Sequence, residues 1–367
     1  MEEWFSVADA SPIDTPALVI YPDRVKHNLA LLKIQIDSID RLRPHVKTQK
    51  CKEATLLTLA AGITKFKCAT IAEAEMLGMC SAPDVLLAYQ PVGPKIDRLI
   101  KLINQYPATK FSCLIDNHDA AIRVDEVAKS NHISVAIYID LNVGMNRSGI
   151  APDKAFDLYE KCSSLSNINV IGLHIYDGQI HDTDLNIRTE RCDASFAPVE
   201  ELIDQLKEAG YNPIIVAGGT PTFPIHAKRE NVECSPGTFI YWDWGYQQAF
   251  QEQQFLPAAL VMSRVVSLPD ETKICVDLGH KSVAAENVLD KRVMFLNAPE
   301  LKVVSQSEEH LVLDAGEHHA YKIGDVLYGL PYHICPTVAL YERAIIIEDK
   351  KVAGEWKTIA RDRKINC

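Results

Sequence analysis

Short apolar runs alternate with amphipathic stretches through the first two thirds of the chain. The pattern predicts an opening strand at Pro16–Ile20 and a helix over residues 22–39, followed by eight further strands. These strands are Leu42–Val46, Lys65–Thr70, Asp84–Tyr89, Lys110–Asp116, Ser134–Leu141, Val170–Tyr176, Pro213–Ala217 and Val232–Thr238. The 3.6-residue spacing of helices is clearest over residues 48–61 and 188–209, and Asn117 and Pro152 lie where helices are expected to start.

Alternating strands and helices of this kind predict a parallel sheet. Eight strands within roughly 220 residues match the size of a (β/α)8 TIM-type barrel. A doubly wound open sheet is the alternative, because the spacing of apolar residues cannot show whether a sheet closes. The predicted fold class is therefore α/β, with a closed barrel as the first choice.

The pattern changes after about Phe255, where short strand-like runs are separated by turns. These runs are Ala258–Ser267, Lys273–Asp277, Arg292–Asn297, Leu301–Ser305, His310–Asp314, Val326–Leu330, Val338–Tyr341, Ala344–Glu348 and Lys351–Trp356. No helical pattern separates them, so they predict an antiparallel β domain. We therefore expect an N-terminal barrel over residues 15–250 and a C-terminal β domain over residues 251–367, to which residues 1–14 are added.

The composition of the chain limits the classes of partner that we expect it to bind. Its 38 basic and 49 acidic residues give a net charge of −11, which disfavours nucleic acid as a ligand. Apolar runs are too short to cross a bilayer, and the start of the chain lacks the pattern of a secretory signal. The ten cysteines form no CxxC pair, which is typical of reduced, buried thiols. We expect a cytoplasmic protein without a membrane or nucleic-acid partner.

Polar side chains follow several of the predicted barrel strands. Lys47 follows the first strand, Arg147 the fifth and Tyr176 ends the sixth, while residues 218–220 follow the seventh and residues 235–238 belong to the eighth. In a closed parallel barrel, functional residues lie at this end of the strands. The sequence therefore predicts that these side chains share one site.

The chemistry of these residues suits an anionic, carbonyl-bearing ligand. Lys47 lies next to His45, and a desolvated lysine at a strand end can become a neutral nucleophile; a surface lysine in a basic loop is the alternative. Gly218-Gly219-Thr220 allows close approach to an anion such as phosphate, although a plain turn fits it too. The Arg147 guanidinium can face a phenolate or carboxylate, or merely cap backbone carbonyls.

Two further groups of residues are candidates: His333 and Cys335 for metal binding, and His181 for proton transfer. On an extended chain His333 and Cys335 point to the same side, and an imidazole with a thiolate favours zinc. A core cysteine beside an exposed histidine is the alternative. His181, just past Tyr176, is a candidate base at the rim of the barrel, unless it is simply a solvated loop histidine.

Three stretches occur together in this order: Arg43-Pro44-His45-Val46-Lys47-Thr48, Gly218-Gly219-Thr220 and His333-Ile334-Cys335-Pro336-Thr337. Together they resemble the fold-type III pyridoxal-phosphate (PLP) enzymes, and within them the D-threonine aldolase and D-serine dehydratase family. The likeness extends from Asp14 to Arg361. It implies an alanine racemase-like barrel with a C-terminal β domain, and a homodimer.

The resemblance also implies a role for each candidate residue. Lys47, with His45 beside it, would form a Schiff base with PLP, and Arg147 and Tyr176 would approach the pyridine ring. Gly218, Gly219 and Thr220 would hold the coenzyme phosphate. His333 and Cys335 would hold a divalent metal, namely zinc, manganese or magnesium.

The implied activity is that of a lyase acting on a β-hydroxy D-amino acid. In a D-threonine aldolase His181 would remove the β-hydroxyl proton, whereas in a D-serine dehydratase Lys47 would take the α-proton. Cys335 stands where the aldolases have Asp and favours the dehydratase, while Ile115-Asp116-Asn117 is closer to the aldolase branch. An amino-acid racemase, with Tyr328 or Tyr332 as second acid–base residue, and a non-catalytic PLP-binding protein are further alternatives.

Overall fold

The computed structural model describes residues 3–367. Its strands, in chain order, are β1 Ala17–Ile20, β2 Lys65–Cys68, β3 Asp84–Leu87, β4 Lys110–Ile115, β5 Val135–Leu141, β6 Ile168–Ile175, β7 Ile214–Ala217, β8 Val232–Cys234, β9 Ala259–Ser267, β10 Lys273–Val276, β11 Val293–Phe295, β12 Lys302–Gln306, β13 Leu311–Asp314, β14 Val326–Pro331, β15 Arg343–Glu348 and β16 Lys351–Lys357.

The α-helices are α1 Pro22–Ile34, α2 Lys52–Ala60, α3 Ile71–Met79, α4 Pro94–Gln105, α5 His118–Ser130, α6 Pro152–Ser163, α7 Leu185–Glu208, α8 Phe223–His226, α9 Trp244–Ala249 and α10 Ile334–Leu340. Short 3-10 helices cover Ile39–Arg41, Thr238–Ile240, Leu289–Lys291 and Ile359–Arg361. No helix within residues 3–367 is long and apolar enough to span a membrane.

The chain forms two compact units. The sheet unit contains the chain up to Leu31, Thr48–Ala54 and Thr238–Ile359, and the barrel unit contains Leu32–Lys47, Thr55–Gly237 and Ala360–Cys367. Compact units need not coincide with independently folding domains. The domain boundaries predicted from the sequence, 15–250 and 251–367 with 1–14, therefore stay a prediction, and residues 1 and 2 lie outside the described part.

The barrel unit is built on a seven-stranded parallel sheet in the order β2 to β8. Each strand pairs in parallel with the next along the chain. Helices lie between most of these strands, as predicted. The Asn117 side chain caps α5 by accepting from two backbone N–H groups, and Pro152 occupies the first turn of α6. Seven of the eight predicted barrel strands are thereby confirmed.

The first predicted barrel strand, Leu42–Val46, is not a regular strand. It makes only two isolated parallel bridges, from Leu42 to Cys234 and from His45 to Lys67. Pro44 lies between these bridges, and proline has no N–H to donate to a ladder. The segment nevertheless hydrogen-bonds to β8 on one side and to β2 on the other. It thus joins the two edge strands and closes the sheet into a barrel.

The sheet unit has a mostly antiparallel sheet in the order β12-β13-β10-β9-β1-β15-β16, with β14 pairing to β9 and β11 to β14. The opening strand β1 lies inside this sheet, antiparallel to β9 and parallel to β15. Val19 on β1 packs with Leu260 and Met262 on β9 in one core of the unit. The predicted antiparallel β domain is confirmed in its architecture.

One predicted strand of this unit, Val338–Tyr341, is wrong, and so is the expectation that no helix interrupts the strands. Residues 334–340 form helix α10. Its β-branched and apolar residues resemble a strand in sequence, but Pro336 lies in the first turn, where its missing N–H costs nothing. The Thr337 hydroxyl donates to the backbone carbonyl of His333 at 2.9 Å, which supports the start of the helix.

Candidate active site

A cavity of about 650 Å³ opens at the carboxyl ends of the barrel strands. Four of the residues predicted from the sequence, His45, Lys47, Arg147 and Tyr176, line it. They come from separate strand ends, which the parallel sheet brings to one rim. Their roles stay a prediction, but the barrel places these four side chains around a single space.

Lys47 is half-buried and lies at the end of the segment that closes the barrel. Its backbone N–H donates to His45 Nδ1 at 3.1 Å, so the histidine side chain turns back on the lysine backbone. The Lys47 Nζ atom is 5.9 Å from the centroid of the Tyr176 ring, and the Arg147 Cζ atom is 4.9 Å from that centroid. The Tyr176 ring is therefore flanked by two predicted site cations, of which Arg147 is exposed at the mouth of the cavity.

The turn formed by Gly218, Gly219 and Thr220, called the diglycine turn below, packs against Tyr176. Gly218 has a φ of +74°, and a Cβ atom there would lie 2.7 Å from His226 Cδ2. A Cβ atom on Gly219 would lie 3.1 Å from Tyr176 Cε2. The Thr220 hydroxyl is buried and accepts the Gly237 N–H at 3.1 Å. Glycine is thus needed for the backbone conformation and for the close approach of the tyrosine ring.

A buried network beneath the diglycine turn was not predicted from the sequence. The Thr222 hydroxyl donates to Asp177 Oδ1 at 2.8 Å, and His226 Nε2 is 2.8 Å from Asp177 Oδ2. Burial raises the pKa of Asp177, but the bonds from His226 and Thr222 outweigh it and leave the pKa below its usual value. Asp177 therefore stays charged and anchors the turn to the end of β6.

Cys192 completes this network, with its Sγ atom 3.4 Å from His226 Nε2. Burial raises the pKa of the Cys192 thiol to about 12. Within the described chain, one group of three possible ligands has its ligand atoms close enough together to hold a metal ion. It consists of Asp177, Cys192 and His226. The sequence gives only a weak signal for this network. Asp177 lies at the end of β6, and its partners lie on α7 and α8, farther along the chain.

A second buried polar set borders the cavity and was also missed. Lys67, His174 and Asp140 line it and are almost fully buried. Lys67 Nζ is 3.4 Å from His174 Nε2, and His174 Nδ1 is 2.7 Å from Asp140 Oδ1. The Ser148 hydroxyl donates to Asp140 Oδ2 at 3.0 Å. We call Lys67, His174 and Asp140 the buried relay.

His181 is not among the residues that the barrel brings together. It is exposed in the loop before α7 and is absent from the lining of the cavity. Its neighbour Asp182 forms an ion pair with Arg191 at 2.7 Å, which holds this loop to α7. The role of His181 as a base stays a prediction that this placement does not favour.

The His333–Cys335 pair lies in the sheet unit, but not on an extended segment as predicted. His333 is the residue before α10 and Cys335 lies in its first turn. The two side chains still hydrogen-bond. Cys335 Sγ is also 3.1 Å from the Thr48 hydroxyl, and His333 Nδ1 is 2.6 Å from Glu286 Oε1. The helix start therefore brings the pair together by a different geometry.

The surroundings of His333 favour a cationic ligand. Burial lowers its pKa, but the sulfur of Cys335 and the carboxylate of Glu286 raise it more, to about 9. Asp243, whose pKa burial raises to about 6, accepts the Ile334 N–H at 3.1 Å. With Nδ1 held by Glu286, a metal ion would displace the proton from Nε2 and bind there, in the arrangement that orients many metal-binding histidines. The pair is thus chemically suited to a divalent metal.

Comparison with known proteins gives two matching family models. The model of the alanine racemase N-terminal domain matches residues 20–243, and that of a serine dehydratase domain matches residues 258–347. D-threonine aldolase of Arthrobacter sp. is 27% identical over 363 residues, which cover 95% of this chain and 93% of that protein. 3-Hydroxy-D-aspartate aldolase of Paracoccus denitrificans (strain Pd 1222) is 24% identical, with 97% and 94% covered.

Among solved structures, the crystal structure of D-threonine aldolase from Filomicrobium marinum is similar with a TM-score of 0.88. The two chains are 24% identical, and the match covers 96% of each. This similarity supports the fold. The matches confirm the predicted resemblance and the predicted combination of a parallel barrel with a C-terminal β domain.

Proposed function

Since the chain belongs to the family of the alanine racemase N-terminal domain, we propose that it is a PLP- and metal-dependent lyase of β-hydroxy D-amino acids, and specifically a D-threonine aldolase. One observation carries the proposal: Lys47 and Tyr176 line one barrel cavity, and the diglycine turn packs against the Tyr176 ring. These are an amine, a ring-stacking surface and an anion cradle, the three parts that PLP needs.

The residues around the diglycine turn fit the coenzyme phosphate. Within the described chain, the Ser235 hydroxyl is buried without a hydrogen-bond partner. The backbone N–H of Ser235 donates to the carbonyl of Ala217, the residue before the turn, at 3.3 Å. A buried donor left unpaired costs free energy unless a ligand satisfies it. A phosphate at the turn would accept from Ser235 and from the backbone. Tyr176, which packs on the turn, would lie against the pyridine ring, and Arg147 would reach the ring from the rim.

PLP, when bound, withdraws electrons from the α-carbon of an attached amino acid. The chain supplies the Lys47 amine that holds the coenzyme. His45 orients the lysine backbone, and the anchored Asp177 keeps the turn in place. Cleavage of the Cα–Cβ bond also requires loss of the β-hydroxyl proton, for which His181 is the base predicted from the sequence.

His333 and Cys335 would hold the divalent metal, with Glu286 orienting the imidazole. A sulfur and a nitrogen donor favour zinc over magnesium or manganese. Two protein ligands leave positions open to water or substrate, as catalytic metals require. The metal would polarise the β-hydroxyl of the substrate.

D-Serine dehydratase is the second candidate. It is favoured by the sulfur donor Cys335 and by the match of residues 258–347 to a serine dehydratase domain. A racemase is less well supported, because the Tyr328 hydroxyl is buried and bonded to the Val7 N–H. Tyr332 remains available as the second acid–base residue of a racemase. A non-catalytic PLP-binding protein is the last alternative. We further propose that the protein is cytoplasmic and forms a homodimer. Light scattering of the purified protein tests the homodimer.

One experiment separates these activities. The metal-loaded holoenzyme is incubated with D-threonine and with D-serine, and the products are analysed. Acetaldehyde and glycine support the aldolase, pyruvate and ammonia the dehydratase, and the L-enantiomer a racemase. No product with any substrate, despite bound PLP, contradicts the proposal of a lyase.

The role of Lys47 is tested by Lys47→Ala. We expect loss of turnover and of the visible absorption that PLP shows when bound to lysine. Lys154→Ala, an exposed lysine on α6, is the matched control and should change neither. An unchanged absorption band in Lys47→Ala would refute the assignment.

A further inference from the structure

The cavity contains a second lysine amine that the proposed function does not use. Lys67 Nζ is 5.7 Å from the centroid of the Tyr176 ring, and Lys47 Nζ is 5.9 Å from the same centroid. Both side chains line the cavity. Only one amine is needed to carry the coenzyme, so the other is available for a different task.

Among residues 3–367, no carboxylate contacts Lys67 directly. Its hydrogen bonds within the described chain go to His174 Nε2 and to the carbonyl of Gly218, each at 3.4 Å. The side chain is only 2% exposed. A buried ammonium group that lacks a carboxylate partner is costly, and the neutral amine is correspondingly favoured.

The positive charges around Lys67 act in the same direction as its burial. Burial lowers its pKa, and the positive charge of Lys47 lowers it further, to about 7. Arg43 also lowers the pKa, whereas Asp177 and Asp140 raise it. A pKa lowered chiefly by burial favours the neutral amine, which is the form that can accept a proton.

The rest of the buried relay orients this amine. Burial and the charge of Lys67 lower the pKa of His174, which favours the neutral imidazole. With its proton on Nδ1 facing Asp140, the ring presents the lone pair of Nε2 to Lys67. Lys67 can then donate one N–H to His174 while its own lone pair remains free.

We propose that Lys67 is the base that deprotonates the amino group of the incoming substrate. An amino acid enters as an ammonium ion, and its nitrogen needs a free electron pair before it can displace Lys47. One N–H bond of the substrate breaks, an N–H bond forms on Lys67 Nζ, and the electron pair stays on the substrate nitrogen. The inference rests on the proposed function, but it applies equally to cleavage and to dehydration.

The test follows substrate exchange alone, without turnover. The holoenzyme is mixed with D-alanine, which has the amino group but no β-hydroxyl, and the coenzyme absorption is followed by stopped flow from about pH 6 to about pH 9. In Lys67→Met we expect exchange near neutral pH to be about 100-fold slower, and the pH-dependent rise near pH 7 to disappear. The ammonium of D-alanine titrates identically with every variant and cancels in the ratio.

Lys67→Arg separates proton transfer from charge. It keeps a cation and hydrogen-bond donors, but a guanidinium does not release its proton, so exchange should be as slow as in Lys67→Met. If Lys67→Met fails to bind coenzyme, Lys67→Arg decides alone. Wild-type exchange in Lys67→Arg, or an unchanged pH profile in Lys67→Met, overturns the inference.

The outcomes also distinguish this inference from the proposed function. If the wild-type protein shows no absorption from lysine-bound coenzyme, the proposed function itself fails. If that absorption is present and exchange is independent of Lys67, only the role of Lys67 fails. Lys154→Met, exposed on α6, controls for the loss of a lysine elsewhere.

Discussion

Burial of Lys67 has a measurable cost in stability, which the substitution Lys67→Met removes. In the folded protein the pKa of Lys67 is lowered from 10.5 to about 7. Between these values the unfolded chain binds more protons than the folded one, so the stability of the wild-type protein rises with pH in this interval. The cost is fully present below the folded pKa and disappears above the unfolded pKa.

Methionine has a similar length and no charge, so it carries no such cost. Lys67→Met should be more stable than wild type, and its advantage should shrink by roughly 3 kcal/mol between about pH 7 and about pH 9.5. The lowered pKa of His174 favours its neutral form throughout this interval. The buried cysteines are common to both proteins and cancel in the difference.

The assay is denaturant unfolding of the coenzyme-free protein, with the midpoints of wild type and variant compared at both pH values. Lys154→Met, at an exposed position, should show the same difference from wild type at the two pH values. A difference between wild type and Lys67→Met that does not change with pH would refute the reasoning. It would mean that Lys67 keeps an ordinary pKa in the folded protein.

Three other changes test the fold and the metal. Arg43→Met should destabilise the protein by about 3 kcal/mol in denaturant unfolding, because it removes a fully buried guanidinium that pairs with Glu233 and Asp84, while Lys65 still pairs with Glu233; a loss under about 1 kcal/mol would contradict the importance of these pairs. Gly218→Ala should cost more stability than Gly210→Ala, since both glycines have positive φ but only Gly218 is crowded; equal losses would show that the crowding is relieved. Chelation should abolish turnover and added zinc should restore it, whereas full activity in chelator would remove the metal from the reaction.

Much of the barrel was predictable because its strands are short apolar runs at regular intervals. Lys47, Arg147 and Tyr176 were predicted as site residues from their positions at strand ends, and the barrel places all three around one cavity. The segment at Leu42–Val46 was predicted as a strand because it is one of the short runs that alternate with helical stretches. Pro44 interrupts its ladder, a local effect that periodicity does not register.

The buried relay could not be found in the same way. Lys67 lies in a run of alternating lysines, Lys65-Phe66-Lys67, where alternation suggests two solvent-facing side chains. In a closed barrel one face of each strand points to the interior, so Lys67 is buried instead. Its partner His174 is more than a hundred residues away. Only the register of β2 and β6 in the closed barrel brings them together.

Because β1 lies between β9 and β15, its sheet cannot be completed until late in protein synthesis. The ribosome makes β1 first, but its partner strands begin only at residues 259 and 343. At typical rates of translation, β1 must wait roughly 10–50 s for β9 to emerge. The contiguous strands of the barrel can pair during that interval, and the nascent chain therefore carries an unpaired apolar strand that chaperones are well placed to protect.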